Sequence, residues 1–348
     1  MSAAALHRAG WRPRARALDL ERDRTVLLFF EDVEEDTLVR NDRHLRRGLR
    51  KVYHRLRGGQ RVSGFEVMFK VLARSLEGLG YRVLVNHRRL ARANPRYPVG
   101  IAGYPHILRR WSLPNPAVLG PGLLDHPRLA PALMDDPRFR SYLVTCDWMK
   151  ALFEKVYSRC GIWFAGHDLD EWPDYSAEPK DLDFLVYDKI RWDRERLEAS
   201  LLRPVLERLQ ARRLGFTVLR YGRYGHREYR ALLRRARGLI FLCESETQGM
   251  AYQEAMACNV PVVAWVNGYW LDPQRTRFES APVPATSVPY FSEQCGETFA
   301  GLPDFDGALD RFLGRRAAYQ PRRYVAEHLS LDVSGRRYLD HYRAAGRG

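Results

Sequence analysis

The chain has 348 residues, of which 45% are hydrophobic and 12% aromatic, so it is long enough for about two domains and too rich in aromatic residues for a disordered protein. Its formal net charge is +15, but the arginines are spread along the whole chain, which favours the codon usage of a GC-rich genome over a nucleic-acid partner. No apolar stretch approaches the roughly 20 residues that a membrane-spanning helix needs.

Cysteine and histidine usage predicts neither disulfides nor a metal centre. The five cysteines are odd in number and form no CxxC pair. The histidines show no HxxH or HExxH spacing, so no metal site is expected. The N-terminus lacks an apolar core of signal-peptide length, and together these features predict a reduced, cytoplasmic protein.

The first half of the chain is expected to form one domain, over 24–165, behind a flexible basic tail at 1–23. Residues 25–30 (TVLLFF) form a continuous apolar run typical of a buried parallel strand. Further strands are expected at 81–86, 100–103, 117–120 and 141–145, with a helix at 63–78. This alternation of strands and helices predicts a doubly wound parallel sheet.

A basic stretch at 40–57 has apolar residues at helical spacing and arginines on the opposite face. This pattern fits an amphipathic helix on an anionic membrane surface or beside a phosphorylated acceptor, and it equally fits an ordinary half-exposed helix. Two adjacent glycines, Gly58 and Gly59, follow this stretch and precede the next helix.

A second domain is expected at 181–320, after a linker at 166–180 that is rich in Gly, Asp, Pro and Ser. Its predicted strands are 183–187, 216–221, 238–243 and 260–266, and its predicted helices are 194–213, 226–237 and 249–258. A C-terminal helical segment at 321–348 is expected to pack back across both domains. The fold class is therefore α/β, with two Rossmann-like doubly wound parallel-sheet domains facing a cleft.

The segment 243–265 (CESETQGMAYQEAMACNVPVVAW) carries the most chemical information. It follows an apolar strand and opens a helix near Gly249, where unpaired backbone amides and the helix dipole favour an anion. Glu246 precedes the helix and Glu254 lies inside it, and carboxylates at these places suit the hydroxyl groups of a sugar. Standard phosphate fingerprints, GxxxxGK[ST] and GxGxxG after a strand, are absent from the sequence.

This segment resembles the nucleotide-sugar site of retaining GT-B glycosyltransferases, in particular glycosyltransferase family 4. The family pattern runs roughly E-G-F-G-L-x-x-x-E-A-M-A-x-G-x-P-V-V, and the positions that match are Glu246, Gly249, Glu254, Ala255, Met256, Ala257, Pro261, Val262 and Val263. Residues 163–172 (WFAGHDLDEW) are similar to the family's entry to the interdomain linker. Gly58-Gly59 is similar to its N-terminal glycine loop. The resemblance thus covers most of the chain, though more thinly outside 243–265.

The resemblance implies a role for each matching residue. Glu254 would bind the ribose hydroxyls of the nucleotide, Glu246 would contact the transferred sugar, and the amides at Gly249 and Met250 would address sugar and phosphate. Two cations that hold the diphosphate would be Lys189 and Arg194, and Arg191 is an equally reachable alternative.

For the N-domain catalytic contact, which the family makes with a histidine, His106 and His126 are rival candidates. The implied function is metal-independent, retaining transfer of a hexose-type sugar from a UDP- or GDP-linked donor, with no further cofactor. The acceptor would be a glycan or a lipid-linked molecule in polysaccharide or glycoconjugate synthesis, and the enzyme would be cytoplasmic and peripheral to the membrane. Two alternatives remain: a UDP-sugar epimerase of the same fold, and a non-catalytic protein that binds polyanions or a membrane surface.

Overall fold

The structure, a computed structural model, describes residues 17–31 and 64–347. These residues divide into two compact units. The first takes in the described residues up to Val144, then Phe153–Gly166, and those from Ser334 onward; the second takes in Thr145–Leu152 and His167–Val333. Within the described ranges, no helix is both long and apolar enough to cross a membrane.

The first unit contains a sheet of six parallel strands in the order β2-β1-β3-β4-β5-β6. The strands are β1 (Thr25–Glu31), β2 (Arg82–Val85), β3 (Val99–Gly103), β4 (Ala117–Gly122), β5 (Phe139–Val144) and β6 (Cys160–Ile162). Its α-helices are Leu20–Asp23, Gly64–Gly78, Arg88–Ala93 and His106–Arg109, with single 3₁₀ turns at Pro127–Leu129 and Leu133–Asp135.

The C-terminal helix Leu331–Arg347 contributes to the core of this first unit through Tyr338 and Tyr342, both fully buried. The hydroxyl of Tyr342 accepts a hydrogen bond from the backbone N–H of Leu27 in β1 (2.9 Å). Gly100 in β3 faces Tyr338, and a Cβ at this position would come within 2.0 Å of the tyrosine oxygen. The close approach of helix and sheet therefore requires glycine here.

The second unit contains a sheet of five parallel strands in the order β11-β10-β9-β7-β8. The strands are β7 (Leu182–Lys189), β8 (Phe216–Arg220), β9 (Ala236–Cys243), β10 (Val262–Trp265) and β11 (Gly296–Phe299). Its α-helices are Arg194–Leu197, Arg203–Ala211, His226–Arg235, Met250–Ala257, Pro273–Thr276, Leu302–Arg315 and Pro321–His328. A helix at Asp147–Phe153 begins in this unit, and a 3₁₀ turn spans Arg316–Ala318.

The prediction of two doubly wound parallel-sheet domains is confirmed, with differences in detail. The helix predicted at 194–213 is interrupted by a π-helical segment, Glu198–Leu202. The helix predicted at 226–237 ends at Arg235, because Ala236 already pairs with Leu182 in the sheet. Strands β6 and β11 were not predicted, since each is short and carries a glycine.

The two ends of the chain also differ from expectation in detail. Within the predicted tail 1–23, Leu20–Asp23 form a helical turn, so helical structure begins before residue 24. The predicted C-terminal segment consists of two helices that break near Ser330, where the chain bridges to His167. Pro321–His328 belongs to the second unit, and the residues from Ser334 onward belong to the first.

Each sheet has one switch point, the place between two neighbouring strands from which later strands are added in opposite directions. In the first sheet it lies between β1 and β3, and in the second between β7 and β9. The loops that follow two such strands diverge to opposite faces of the sheet and leave a crevice beyond their carboxyl ends, where ligands of open α/β sheets bind. Candidate functional residues should therefore lie just after β1 and β3, and just after β7 and β9.

Candidate functional site

Lys189 and Glu246 meet at the switch point of the second sheet. Lys189 is the last residue of β7, and Glu246 lies in the loop that follows β9. The ammonium group of Lys189 donates a hydrogen bond to Glu246 Oε1, and the thiol of Cys243 donates to the same oxygen over 3.4 Å. Both charged side chains are largely buried, with 13% and 10% of their surface exposed. The structure thus brings together two residues that the sequence places 57 positions apart.

The environment of Lys189 keeps it cationic. Burial alone would lower the pKa of its ammonium group, but the carboxylate of Glu246 more than offsets this and leaves the pKa raised. The ammonium also lies 4.6 Å from the centre of the Tyr221 ring, an attractive cation–π distance. A buried lysine that is cationic at neutral pH can attract an anion at this switch point.

Arg191 belongs to the same cluster. Its guanidinium donates to the backbone carbonyl of Ser245 (3.2 Å), and its own backbone N–H donates to the carboxylate of Glu244 (2.7 Å). The loops after β7 and β9 are thereby joined by side-chain and main-chain contacts.

Arg194 occupies a different environment. Its guanidinium donates to the carboxylates of Asp188 (Oδ1, 2.6 Å) and Glu198 (Oε2, 3.0 Å) and to the backbone carbonyl of Ile190 (3.3 Å), all in its own local segment. The structure therefore places Arg191 against the loop that carries Glu246, and Arg194 in an ion-pair network with neighbouring acids.

The helix Met250–Ala257 begins at Gly249 with an open N-terminus. Gly249 has φ +82°, in the left-handed region, and a Cβ there would come within 2.1 Å of the Tyr252 ring. No side chain of the described residues caps this helix start. The first amides of the helix, beginning at Met250, are therefore available to an anion.

Glu254 lies in the same helix, one to two turns beyond Gly249. Burial raises the pKa of its carboxyl group to about 8; the nearby Glu171 carboxylate adds to the rise, while Arg230 and Lys189 oppose it. Within the described residues, no hydrogen bond or ion pair to this carboxyl group is formed. A desolvated carboxyl group without partners has its acceptor positions open to the hydroxyl groups of a ligand.

Hydrogen bonds between buried polar groups hold the start of this helix in place. His167 Nε2 and Gln253 Oε1 are 2.9 Å apart, and Gln253 Nε2 donates to the backbone carbonyl of Gln248 (2.8 Å). Burial lowers the pKa of His167 to about 4, so its ring is neutral at neutral pH. Trp148 adds a further support, because its indole N–H donates to the backbone carbonyl of Glu246 (2.9 Å).

Sequence reasoning missed three residues of this site: Glu244, His167 and Trp148. Glu244 could have been suspected, since it directly follows an apolar strand within the same short segment as Glu246. His167 and Trp148 left no such signal, because their partners lie 86 and 98 positions away.

The two candidate histidines of the first unit differ in environment. His106 follows β3, and its Nε2 lies 2.9 Å from Oε2 of Glu31, the last residue of β1, so this pair occupies the switch point of the first sheet. His126 is fully buried, and its Nδ1 accepts a hydrogen bond from the backbone N–H of Arg128 (3.2 Å) at the start of a 3₁₀ turn. His106 thus lies beyond the carboxyl ends of β1 and β3, and His126 stabilises a turn.

Several predictions fall outside the described residues. These are Gly58, Gly59, the basic stretch 40–57 and residues 1–16 of the predicted tail. For the chain between 17 and 31 and between 64 and 347, no group of three or more His, Cys, Asp or Glu side chains is arranged to hold a metal ion.

No protein-family model and no curated protein sequence matches this chain. In structure it is similar to a glycosyltransferase from Rickettsia africae ESF-5, with a TM-score of 0.54 and 11% identity over 92% of this chain and 98% of the other. It is also similar to the lipopolysaccharide outer core galactosyltransferase WaaB in its apo form, with a TM-score of 0.53 and 10% identity over 91% of this chain and 98% of that one.

A third similar structure is the sucrose-phosphate synthase of Thermosynechococcus elongatus, with a TM-score of 0.50 and 14% identity over 92% of this chain and 98% of that one. At these identities the similarity concerns the fold. The two parallel-sheet units and their structural relatives show that the chain has the GT-B fold of glycosyltransferases.

Proposed function

We propose that this chain transfers a sugar from a UDP- or GDP-linked donor to a hydroxyl group of a glycan or lipid-linked acceptor, with retention of the anomeric configuration. The proposal is supported by the residues gathered at the switch point of the second sheet. A buried cation (Lys189), an open helix start at Gly249 and two carboxyl groups (Glu246 and Glu254) lie on the loops and the helix that follow β7 and β9. A nucleoside-diphosphate sugar presents both anionic phosphates and neighbouring hydroxyl groups, and this set of residues suits both.

In this proposal each residue addresses one part of the donor. Lys189, Arg191 and the amides beginning at Met250 balance the charge of the diphosphate. Glu254 accepts hydrogen bonds from the ribose hydroxyls, for which its unpartnered carboxyl group is suited. Glu246 accepts from hydroxyls of the transferred sugar, and Lys189 neutralises it until the donor enters.

The proposed step breaks the bond between the anomeric carbon and the diphosphate oxygen, and both electrons leave with the diphosphate. The acceptor oxygen attacks from the same face and forms the new bond, and its proton passes to the departing phosphate oxygen. The sugar becomes cation-like while the diphosphate gains negative charge, so preorganised cations and amides at the diphosphate lower the barrier. The proposal assigns no metal ion and no cofactor besides the donor.

The test begins with the wild-type chain and a panel of UDP-, GDP- and ADP-sugars. A ligand that binds only the folded state raises the melting temperature, so one nucleotide class should produce a clear shift. With that donor and candidate acceptors, NMR of the product should show the anomeric configuration of the donor. An inverted product would overturn retention, and the absence of a shift with every nucleotide sugar would overturn the function.

Two substitutions then test the site. E254A should weaken nucleotide binding about tenfold or more, because the hydroxyls lose their acceptor. E246Q should reduce the transfer rate more than it reduces nucleotide affinity. E228A, at an exposed glutamate of the helix His226–Arg235, is the matched control and should change neither. If E246Q and E254A both transfer sugar at the wild-type rate, the assignment of the site is wrong.

A further inference from the structure

Glu244 connects three loops at the functional edge of the second sheet. It directly follows β9 and is fully buried. Its Oε1 accepts hydrogen bonds from two consecutive backbone N–H groups after β7, those of Arg191 (2.7 Å) and Trp192 (2.8 Å). Its backbone carbonyl accepts from the side-chain amide of Asn267, which follows β10 (3.0 Å). One residue thus ties together the loops that follow β7, β9 and β10.

This arrangement costs free energy, because it leaves one buried oxygen of Glu244 without a hydrogen bond from the part of the chain that the structure describes. The second carboxylate oxygen of Glu244, Oε2, is buried and has no hydrogen-bond partner within the described residues. Buried polar atoms are nearly always paired, because desolvation without compensation is unfavourable. A buried carboxylate with one unpaired oxygen is therefore not explained by stability alone. Its other oxygen accepts hydrogen bonds from two amides, and these amides point to its role.

The two amides belong to the loop that carries the cations. Lys189 ends β7, and Arg191 follows two residues later. Beyond the end of the strand this loop has no further ladder hydrogen bonds with β9. A carboxylate that accepts from two successive amides fixes the direction of the chain here, and bonds to a charged acceptor are about twice as strong as neutral ones. The charge of Glu244 also helps to hold Arg191 nearby, since the two side chains attract each other.

We propose that Glu244 is a positioning residue for diphosphate binding: it fixes the loop 189–192 so that Lys189 and Arg191 are already in place when the donor enters. This inference rests on the function proposed above. Preorganised ligand groups bind more tightly because less conformational entropy is lost on binding. Glu244 does not itself touch the donor.

The experiment compares E244A and E244Q with the wild type. Glutamine keeps an oxygen that accepts from both amides but removes the charge, whereas alanine removes the acceptor. D183A is the matched control, because Asp183 also accepts from a backbone amide of a neighbouring loop, that of Gly215 (2.8 Å). Asp183 lies near the start of β7, at the amino-terminal ends of the strands and away from the candidate site.

The first readout needs no ligand. Hydrogen–deuterium exchange of the peptide 188–193 should be about tenfold faster or more in E244A than in the wild type, intermediate in E244Q, and unchanged in D183A. The second readout is calorimetric titration with UDP and GDP, and with uridine and guanosine. E244A should weaken binding of the preferred diphosphate about 10- to 100-fold and leave its nucleoside within about twofold, while E244Q should bind the diphosphate with an affinity between those of E244A and the wild type.

The outcomes separate this inference from the proposed function. If the wild-type chain binds neither UDP nor GDP, the proposed function fails, and with it the role of Glu244 in diphosphate binding. If the wild type binds one of them and E244A binds it equally well, only the role of Glu244 is overturned. Equal losses of diphosphate and nucleoside affinity in E244A, or unchanged exchange of the peptide 188–193, would also overturn it.

Discussion

Arg194 forms an ion pair with Asp188, with 2.6 Å between Nη1 and Oδ1, and Asp188 is only 2% exposed. The pair joins the end of β7 to the helix that follows it, and Glu198 accepts from the same guanidinium one turn later. Arg194 therefore has a structural task that does not depend on any ligand.

This ion pair predicts that substitution of Arg194 mainly lowers stability, whereas substitution of Arg191 mainly weakens ligand binding. R194A leaves the buried Asp188 carboxylate without its cation and should lower the free energy of unfolding by about 2 to 3 kcal/mol, somewhat less than for a fully buried pair. R191A should change stability little and should weaken nucleoside-diphosphate binding more than R194A does. Urea denaturation and titration calorimetry on the two variants check this, and the reverse order of effects would return Arg194 to the diphosphate site.

Gly249 should tolerate no side chain. G249A places a Cβ against the Tyr252 ring in a left-handed backbone conformation, and we expect a loss of about 2 kcal/mol or more in unfolding free energy together with weaker nucleotide binding. G225A is the matched control, because Gly225 also precedes a helix but has φ −98° and open space around its Cβ position. It should change stability by less than about 0.5 kcal/mol. Equal effects of the two substitutions would show that the conformation of Gly249 is unimportant.

His167 should make stability depend on pH in the acid range. Its pKa is lowered from 6.5 to about 4 in the folded state, so between these values the unfolded chain binds the extra proton. The stability that the neutral ring contributes is therefore present above about pH 6.5 and is lost as pH falls towards 4. Unfolding free energies of H167Q should show a shallower slope than those of the wild type over this range. Identical slopes would mean that His167 is not buried as a neutral group.

Glu254 should have the opposite effect, so that stability falls as pH rises from about 4.5 to about 8. Because the folded state raises its pKa from 4.5 to about 8, the unfolded chain loses this proton first as pH rises. The wild type should therefore lose stability relative to E254Q from about pH 4.5 up to about pH 8, and the difference should be constant above that. Melting temperatures of the two proteins across this range test the prediction, with E228Q as a control at an exposed glutamate. A difference that does not change with pH would contradict the burial of Glu254 in its acid form.

The fold class and the central segment of the candidate site could be predicted from the sequence alone. Runs such as TVLLFF at 25–30 are apolar throughout because strands of a parallel sheet are buried on both faces, and this can be read without knowing the neighbours. Glu246, Gly249 and Glu254 are close in sequence and lie on one loop and one helix; their spacing alone is a weak signal, and the resemblance to the GT-B family pattern grouped them.

The groups that contact this segment became apparent only in the assembled sheet. Arg191 faces the loop after β9 because β7 and β9 are neighbours in the sheet. For the same reason, Glu244 can accept hydrogen bonds from the amides of Arg191 and Trp192. These contacts join residues more than fifty positions apart, and the strand order that brings them together results from packing of the whole sheet. A hydrogen bond of this kind leaves no periodicity in the sequence, so it becomes visible only once the sheet is assembled.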